Sequence, residues 1–79
     1  MTNIEKYNQI FISNMDITES QLKGLKYQDI PLWDSVGHMS LITSVEEAFD
    51  IMMETDDIID FSSYEKGIEI LTKNYDVQF

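Results

Sequence analysis

An acid, a hydroxyl and an imidazole lie within five residues of one another, at Asp34, Ser35 and His38. Hydrolases combine these three side-chain types as orienting acid, nucleophile and general base. Such a device needs the imidazole aimed at the hydroxyl, with the acid on the far side of the ring. Asp34 directly precedes Ser35, whereas His38 falls on an apolar helix face, so we do not expect an enzyme. His38 is interpreted instead as a packing or loop-bonding residue, with an influence on the placement of a phosphate as the alternative.

Ser35 is better suited to carry a group than to attack one. It follows Asp34, a favoured N-cap residue, and precedes a long amphipathic run, so it stands at the start of a helix. A helix N-terminus stabilises an anion through its free N–H groups and the positive end of its dipole. The position therefore suits a serine that bears a phosphodiester. A serine that only caps the helix fits the same pattern.

The hydrophobic pattern predicts an all-α fold, a small four-helix bundle of three longer helices and one short third helix, with a long first loop. Apolar residues recur at helical spacing over Ile4–Met15 and from Ser35 to about Asp50. A short helix is predicted next, with Thr55 as its N-cap and Phe61 near its end. The capping-box sequence Ser62–Glu65 is predicted to open the last helix. The apolar side of that helix is lined by Tyr64, Ile68, Leu71 and Tyr75.

One face of the second helix is predicted to lie in the core, and the first loop to be pinned there by its own apolar side chains. The core face consists of His38, Leu41, Ile42, Val45, Phe49 and Met52. The loop covers Asp16–Asp34, with one short turn at Thr18–Gln21. Trp33 is interpreted as a loop anchor, with a partner contact as the alternative. The other anchors are Leu22, Leu25, Tyr27, Ile30 and Leu32.

Charge and composition exclude several functions. Fifteen acids against five Lys and Arg give a formal net charge of −10, and the chain has one His and no Cys. Binding of nucleic acid depends on Lys and Arg clusters, so a nucleic-acid partner is not expected. The donor set and spacing also argue against a zinc or calcium site, so no metal is expected. The acidic surface favours steering toward basic proteins, although solubility alone also explains it.

The 79 residues are predicted to form one domain, which is too small for a deep, water-excluding active site. No apolar stretch approaches the roughly 20 residues that span a bilayer, and the first residues do not resemble a signal peptide. A monomeric, cytoplasmic protein without membrane insertion is therefore expected.

The solvent side of the second helix combines apolar and acidic side chains. Its members are Val36, Met39, Thr43, Glu46, Glu47 and Asp50. Apolar residues surrounded by charges are typical of a transient docking face, in which apolar area gives contact and the acids give steering. An ordinary solvated helix face with two incidental apolar residues is the alternative.

Several motifs together resemble the acyl carrier proteins. The family has Asp-Ser-Leu at the start of its second helix, and this chain has Asp34-Ser35-Val36. An acidic stretch that ends in Phe-Asp-Ile follows in Val45–Ile51. Thr55–Asp57 matches the start of the family's short third helix, and Phe61–Tyr64 matches the junction into its fourth. The resemblance extends over essentially the whole chain.

The resemblance implies a specific cofactor and specific partners. A phosphopantetheinyl transferase would attach the 4′-phosphopantetheine of coenzyme A to Ser35, with Asp34 orienting the serine. The thiol of this arm would hold an acyl group as a thioester, for acyl-loading and acyl-using enzymes with basic docking patches. These enzymes would belong to a fatty-acid, polyketide or specialised lipid or sugar-acylation pathway. The residues that the resemblance assigns to the partner face are Val36, Met39, Glu46, Glu47, Asp56 and Asp57.

The chain also departs from the carriers of bulk fatty-acid synthesis. Val36 stands where the family usually has Leu. Gly37, His38 and Ser40 stand at positions where the family commonly has polar or acidic residues. Trp33 directly precedes the motif. These differences favour a dedicated carrier of a specialised pathway. A peptidyl or D-alanyl carrier is an alternative within the same plan. An unmodified acidic helical adaptor that binds a basic partner is an alternative of a different class.

Overall fold

Four α-helices and no β-strand make up the regular structure of the computed structural model, which describes all 79 residues. They are α1 (Asn3–Met15), α2 (Ser35–Phe49), α3 (Thr55–Asp60) and α4 (Tyr64–Asn74). The all-α prediction is confirmed, and so is the short third helix among three longer ones. The longest helix, α2, has 15 residues, and no helix is both long and apolar enough to cross a lipid bilayer.

Local sequence sets where the first two helices begin and end. The Thr2 hydroxyl accepts a hydrogen bond from the Glu5 amide at 3.3 Å, and the Glu5 carboxylate accepts one from the Thr2 amide at 2.9 Å. This reciprocal capping box begins α1. Asp16 and Asp50 end α1 and α2 in the left-handed conformation, with φ of 55° and 54°. Asp tolerates this conformation better than most residues other than Gly, because its short polar side chain can bond locally.

The turn at Asp50 makes the predicted core position of Met52 wrong. Met52 is 85% exposed, whereas Met53 is 5% exposed. Helical spacing would place Met52 on the core face only if the helix reached it, and α2 ends at Phe49. Met53 turns inward instead, and its backbone N–H donates to Glu46 Oε2 at 2.8 Å.

The core is built around aromatic rings from α1, the first loop and the α3–α4 junction. Tyr7, Phe11, Trp33 and Phe61 are each at most 1% exposed. The Tyr7 hydroxyl donates to the Tyr64 carbonyl oxygen at 2.7 Å, which satisfies a buried polar group. Burial raises the pKa of the Tyr7 phenol. Of the predicted α2 core face, Leu41, Ile42 and Val45 are buried, and His38 and Phe49 are half-buried.

The long connection between α1 and α2 is held by its own apolar side chains, as predicted. Leu22, Leu25 and Trp33 are buried, and Tyr27 and Ile30 are half-buried. Leu32 was wrongly placed among the anchors, since it is 48% exposed and its neighbour Trp33 takes the core position. The loop also pairs with the α3–α4 junction, where the Tyr27 amide donates to Ser62 O and the Tyr64 amide donates to Leu25 O, each at 2.9 Å. The predicted short turn is a 3₁₀ turn at Glu19–Gln21.

The predicted cap of α3 is wrong, because the helix already includes Thr55. Thr55 is the first residue of α3, and Glu54 is the N-cap residue without any side-chain capping bond. Tyr75, just after α4, fastens this end instead. Its hydroxyl accepts from the Glu54 amide at 2.8 Å and donates to Asp57 Oδ2 at 2.6 Å. Burial, followed by the bond to Asp57, raises the pKa of Tyr75.

The predicted capping box at the start of α4 is also wrong. Ser63 rather than Ser62 caps the helix, accepting from the Lys66 amide at 2.9 Å. Glu65 does not reach back to the cap. Its carboxylate accepts from the Gly24 amide at 2.9 Å and so ties α4 to the first loop.

Gly67, in the middle of α4, is required by packing. The sequence leaves open whether this glycine marks a close approach or is merely tolerated. A methyl group there would overlap the Tyr7 hydroxyl and the Phe61 ring. Both neighbours are completely buried and have no room to move.

We expect Gly67→Ala to lower the free energy of unfolding by about 1 kcal/mol, because overpacking outweighs the helix propensity of Ala. Urea denaturation followed by circular dichroism measures the change. Tyr7→Phe in the Gly67→Ala background should recover part of the loss, since it removes the hydroxyl that the new methyl meets. A single Gly67→Ala variant that is more stable than the parent would contradict the close packing.

Candidate functional site

Ser35 is the first residue of α2, and its side chain is exposed to solvent. The preceding Asp34 has extended backbone, and its Oδ1 accepts a hydrogen bond from the Gly37 amide at 2.8 Å. The first helical bond runs from the His38 amide to Asp34 O at 2.7 Å. The amides of Ser35 and Val36 precede that bond and keep their donors free, as expected at a helix N-terminus. The predicted capping role of Asp34 is confirmed.

Gly37 allows the first loop to cross the first turn of α2. A Cβ at this position would overlap the carbonyl oxygen of Leu32, which is backbone and cannot rotate away. The close crossing fixes the angle at which the loop delivers Asp34 and Ser35 to the helix. The glycine therefore has a structural cause, which sequence reasoning missed.

His38 bonds to two other segments through its two ring nitrogens. Trp33 Nε1 donates to His38 Nδ1 at 3.0 Å, and His38 Nε2 lies 2.8 Å from the carbonyl oxygen of Ile58. An indole N–H can only donate, so Nδ1 is the acceptor and Nε2 is assigned the proton. Both nitrogens are engaged away from the Ser35 hydroxyl. The expectation that His38 packs and bonds the loop is confirmed, and the Trp33 anchor is confirmed with it.

Two grooves meet at Ser35, and they differ in character. The groove between α2 and α3 has a volume of about 380 Å³. It is lined by Tyr27, Ser35, His38, Met39, Ile58, Ile59, Phe61 and Ser62. The groove between the end of α1 and α2 has a volume of about 570 Å³. It is lined by Asn14, Ser35, Val36, Met39, Ser40, Thr43 and Ser44. A group attached to Ser35 would have an apolar surface on one side, and on the other a surface where hydroxyl groups alternate with Val36 and Met39.

Exposed apolar side chains flank the serine. Val36 is 75% exposed and Met39 is 52% exposed, as the solvent face of α2 predicts. Ile59 of α3 is 72% exposed and shares the apolar groove with Ser35. Sequence reasoning missed Ile59. The adjacent pair Ile58-Ile59 in a short helix was the available signal, since two successive helical residues cannot both face the core.

The whole net charge of the protein lies in the part of the chain that contains this site. Residues 27–65 include ten acids and no Lys or Arg, while the rest of the chain has five lysines and five acids. α2 and α3 therefore form the negative side of the molecule. The electrostatic potential of such a surface is therefore asymmetric.

The four acids predicted for the partner face are not equivalent. Glu47 and Asp56 are exposed and make no hydrogen bond within the chain. Glu46 is half-buried and holds the Met53 amide. Asp57 accepts from the Asn74 side chain at 3.0 Å and from the Tyr75 hydroxyl. Glu46 and Asp57 thus stabilise the fold, and Glu47 and Asp56 are free for a partner.

Comparison with models of protein families, with curated proteins and with solved structures gave no match. The function is therefore inferred from the residues of the site and their geometry.

We expect Asp34→Ala to lower the free energy of unfolding by about 1 kcal/mol, because the Gly37 amide loses its acceptor. Asp34→Asn should retain most of the stability, since Asn has an equivalent oxygen and ranks with Asp as a cap. Thermal and urea denaturation of the two variants measure the difference. If Asn and Ala were equally destabilising, the contribution of Asp34 would not come from the cap.

Proposed function

We propose that this protein is an acyl carrier protein, which holds an acyl group as a thioester on a 4′-phosphopantetheine arm attached to Ser35 Oγ. The observation that carries the proposal is the position of Ser35, exposed as the first residue of α2 where two grooves meet. The motif resemblance over Asp34–Val36 and Val45–Ile51 supports the same assignment. The bundle topology of the family, with its long first crossover, is part of this proposal.

The residues around Ser35 fit a phosphodiester. The free amides of Ser35 and Val36 and the positive end of the α2 dipole favour an anion there. Asp34 is occupied with the Gly37 amide and holds the turn in place. Met39 and Ile59 offer apolar surface beside the serine. When bound, the cofactor supplies the thiol that carries the acyl group, a group that this chain lacks because it has no Cys.

The attachment chemistry is assigned to a partner. No base contacts Ser35, since His38 bonds to Trp33 and Ile58. A phosphopantetheinyl transferase would therefore activate the hydroxyl, whose oxygen displaces 3′,5′-ADP from coenzyme A to form the phosphodiester. The negative side formed by α2 and α3 would then guide acyl-loading and acyl-using enzymes that have basic docking patches. Fatty-acid, polyketide and specialised acylation pathways all use such chemistry, and peptidyl and D-alanyl carriers use the same arm.

An unmodified adaptor is the second candidate function. The exposed apolar side chains of Val36 and Ile59, surrounded by acids, also fit a basic protein partner without any cofactor. The two candidates differ in what they require of Ser35. An adaptor tolerates Ser35→Ala, whereas a carrier loses its function.

Incubation with coenzyme A, Mg²⁺ and a broad-specificity phosphopantetheinyl transferase is expected to add one phosphopantetheinyl group to the protein. Intact-mass spectrometry measures this directly. Ser35→Ala should remain unmodified, while the control Ser40→Ala, on the next turn of α2, should be modified like the parent. A parent protein that gains no mass beside a modified control carrier would reject the carrier function.

We expect Glu47→Lys to slow modification several-fold at low ionic strength, with the effect shrinking as salt screens the field. Its melting temperature should hardly change, because the Glu47 side chain is exposed and takes part in no hydrogen bond or salt bridge. Glu46→Lys should instead destabilise the fold by about 1–2 kcal/mol, since the Met53 amide loses its acceptor. Glu19→Lys, an equal charge change outside residues 27–65, is the control. Equal slowing by Glu19→Lys and Glu47→Lys would contradict a docking face on α2.

A further inference from the structure

His38 contacts three segments of the chain through one side chain. Its own helix is α2, its Nδ1 accepts from Trp33 in the first loop, and its Nε2 donates to Ile58 O in α3. The imidazole also stacks on the Trp33 ring, with centroids 6.3 Å apart and planes at 15°. The Phe61 ring contacts it edge-on, with centroids 6.0 Å apart. One half-buried side chain thus joins the first loop, α2 and the end of α3.

The bond to Ile58 O pairs a backbone group at the end of a very short helix. α3 has six residues, which is too short to be stable by itself. Its last backbone bond runs from the Phe61 amide to Asp57 O, so Ile58 O lies beyond the helical ladder. His38 satisfies this free carbonyl, as cationic and imidazole side chains often do at helix C-termini. Tyr75 bonds to the Glu54 amide at the opposite end of α3, so side chains distant in sequence bond to both ends of this helix.

The partner at Nδ1 fixes the direction of the bond at Nε2. Trp33 is completely buried, and its indole N–H needs an acceptor, which His38 Nδ1 provides. This leaves the proton on Nε2, where it points at Ile58 O. Trp33 therefore fixes the tautomer of His38 and makes Nε2 a donor to α3.

His38 also stands between the apolar groove and the core. The groove beside Ser35 has His38 and Phe61 in its lining. Behind them lie Phe11 and Trp33, both completely buried, with ring centroids 5.4 Å apart. A chain that passed from the groove into the core would have to separate α3 from α2 and break the bonds of His38.

We propose that His38 is a positioning residue that holds α3 closed on α2 and confines a group attached to Ser35 to the surface groove. The acyl nature of that group rests on the proposed function, whereas the closure of α3 by His38 does not. An attached alkyl chain would then lie against Met39 and Ile59, available to partners, instead of entering the core. The hydrogen bond to Ile58 O is the element that sets the width of the groove.

The closure can be tested without any phosphopantetheinyl transferase. The chain has no Cys, so Ser35→Cys introduces a single thiol at the attachment position. Its thiolate displaces iodide from N-octyliodoacetamide and forms a thioether, which places an octyl chain beside both grooves. Methyl and amide NMR spectra then report where this chain lies, relative to the same protein alkylated with iodoacetamide.

Two substitutions separate the two bonds of the imidazole. In His38→Asn the side-chain oxygen can occupy the place of Nδ1 and accept from Trp33, but nothing reaches Ile58 O. In His38→Gln the terminal NH₂ can occupy the place of Nε2 and donate to Ile58 O, but the acceptor for Trp33 is lost. Tyr27→Phe is the control, because the Tyr27 ring lies 5.5 Å from the imidazole and makes no hydrogen bond to it.

In the Ser35→Cys protein with His38 intact, we expect the octyl chain to shift the methyl signals of Met39 and Ile59. The methyl signals of Leu41 and Leu71 in the core should not shift. His38→Asn should increase amide exchange in the last turn of α3 and at Phe61 about tenfold, the change that corresponds to one lost hydrogen bond. In that variant the octyl chain should also shift Leu41 and Leu71. His38→Gln and Tyr27→Phe should exchange within about twofold of the parent, and the ¹⁵N shifts of the parent imidazole should report protonated Nε2.

Two results would overturn the proposal. One is an octyl chain that shifts Leu41 and Leu71 in the parent background, because α3 would then open without any change at His38. The other is equal exchange in His38→Asn and His38→Gln, because the bond to Ile58 O would then not control α3. Neither result depends on attachment of 4′-phosphopantetheine, so failure of the closure and failure of the carrier function are distinguishable.

Discussion

The burial of Trp33 is the constraint on which the rest of the site depends. A completely buried indole contributes a large apolar area but brings an N–H group that must be paired. Here the acceptor is His38 Nδ1, one turn into α2. Because Trp33, Asp34 and Ser35 are consecutive, anchoring the indole also fixes the start of α2. Gly37 permits the close crossing of loop and helix that this geometry requires.

The same anchoring separates the tasks of neighbouring residues. Trp33 packs in the core, Asp34 caps α2 and Ser35 is exposed to solvent. Three consecutive residues thus have three different structural roles. In a protein of 79 residues the core is small, and four aromatic rings are among its fully buried side chains. Surface exposure of Ser35 is consistent with chemistry supplied by other proteins, since a domain of this size can shelter little from water. The negative side formed by α2 and α3 includes that serine, and its charge is opposite in sign to that of the basic partners in the proposed function.

Helical periodicity predicted most of the fold, because each helix longer than ten residues has its own apolar face. α1 and α2 begin and end within about one residue of the predicted bounds, and α4 begins near the predicted position. The prediction from periodicity was wrong at Met52, because Asp50 adopts the left-handed conformation and ends α2 before the helix reaches Met52. It also failed at the caps of α3 and α4. The Tyr75 hydroxyl accepts from the Glu54 amide, and the Glu65 carboxylate accepts from the Gly24 amide instead of capping its own helix. Both hydrogen bonds join residues that are distant in sequence.

The sequence by itself determined the all-helical fold, the position of Ser35 at a helix start and the capping by Asp34, because these depend on residues within one or two turns. The tertiary structure decided which acids are free, since only the folded chain brings Met53 to Glu46 and Tyr75 to Asp57. It also placed Ile59 beside Ser35 and the carbonyl of Ile58 against His38. The groove that Ser35 shares with Ile59 and the bond of His38 to Ile58 O join α2 to α3. Their geometry depends on how the whole core packs, and local sequence patterns carry no information about that packing.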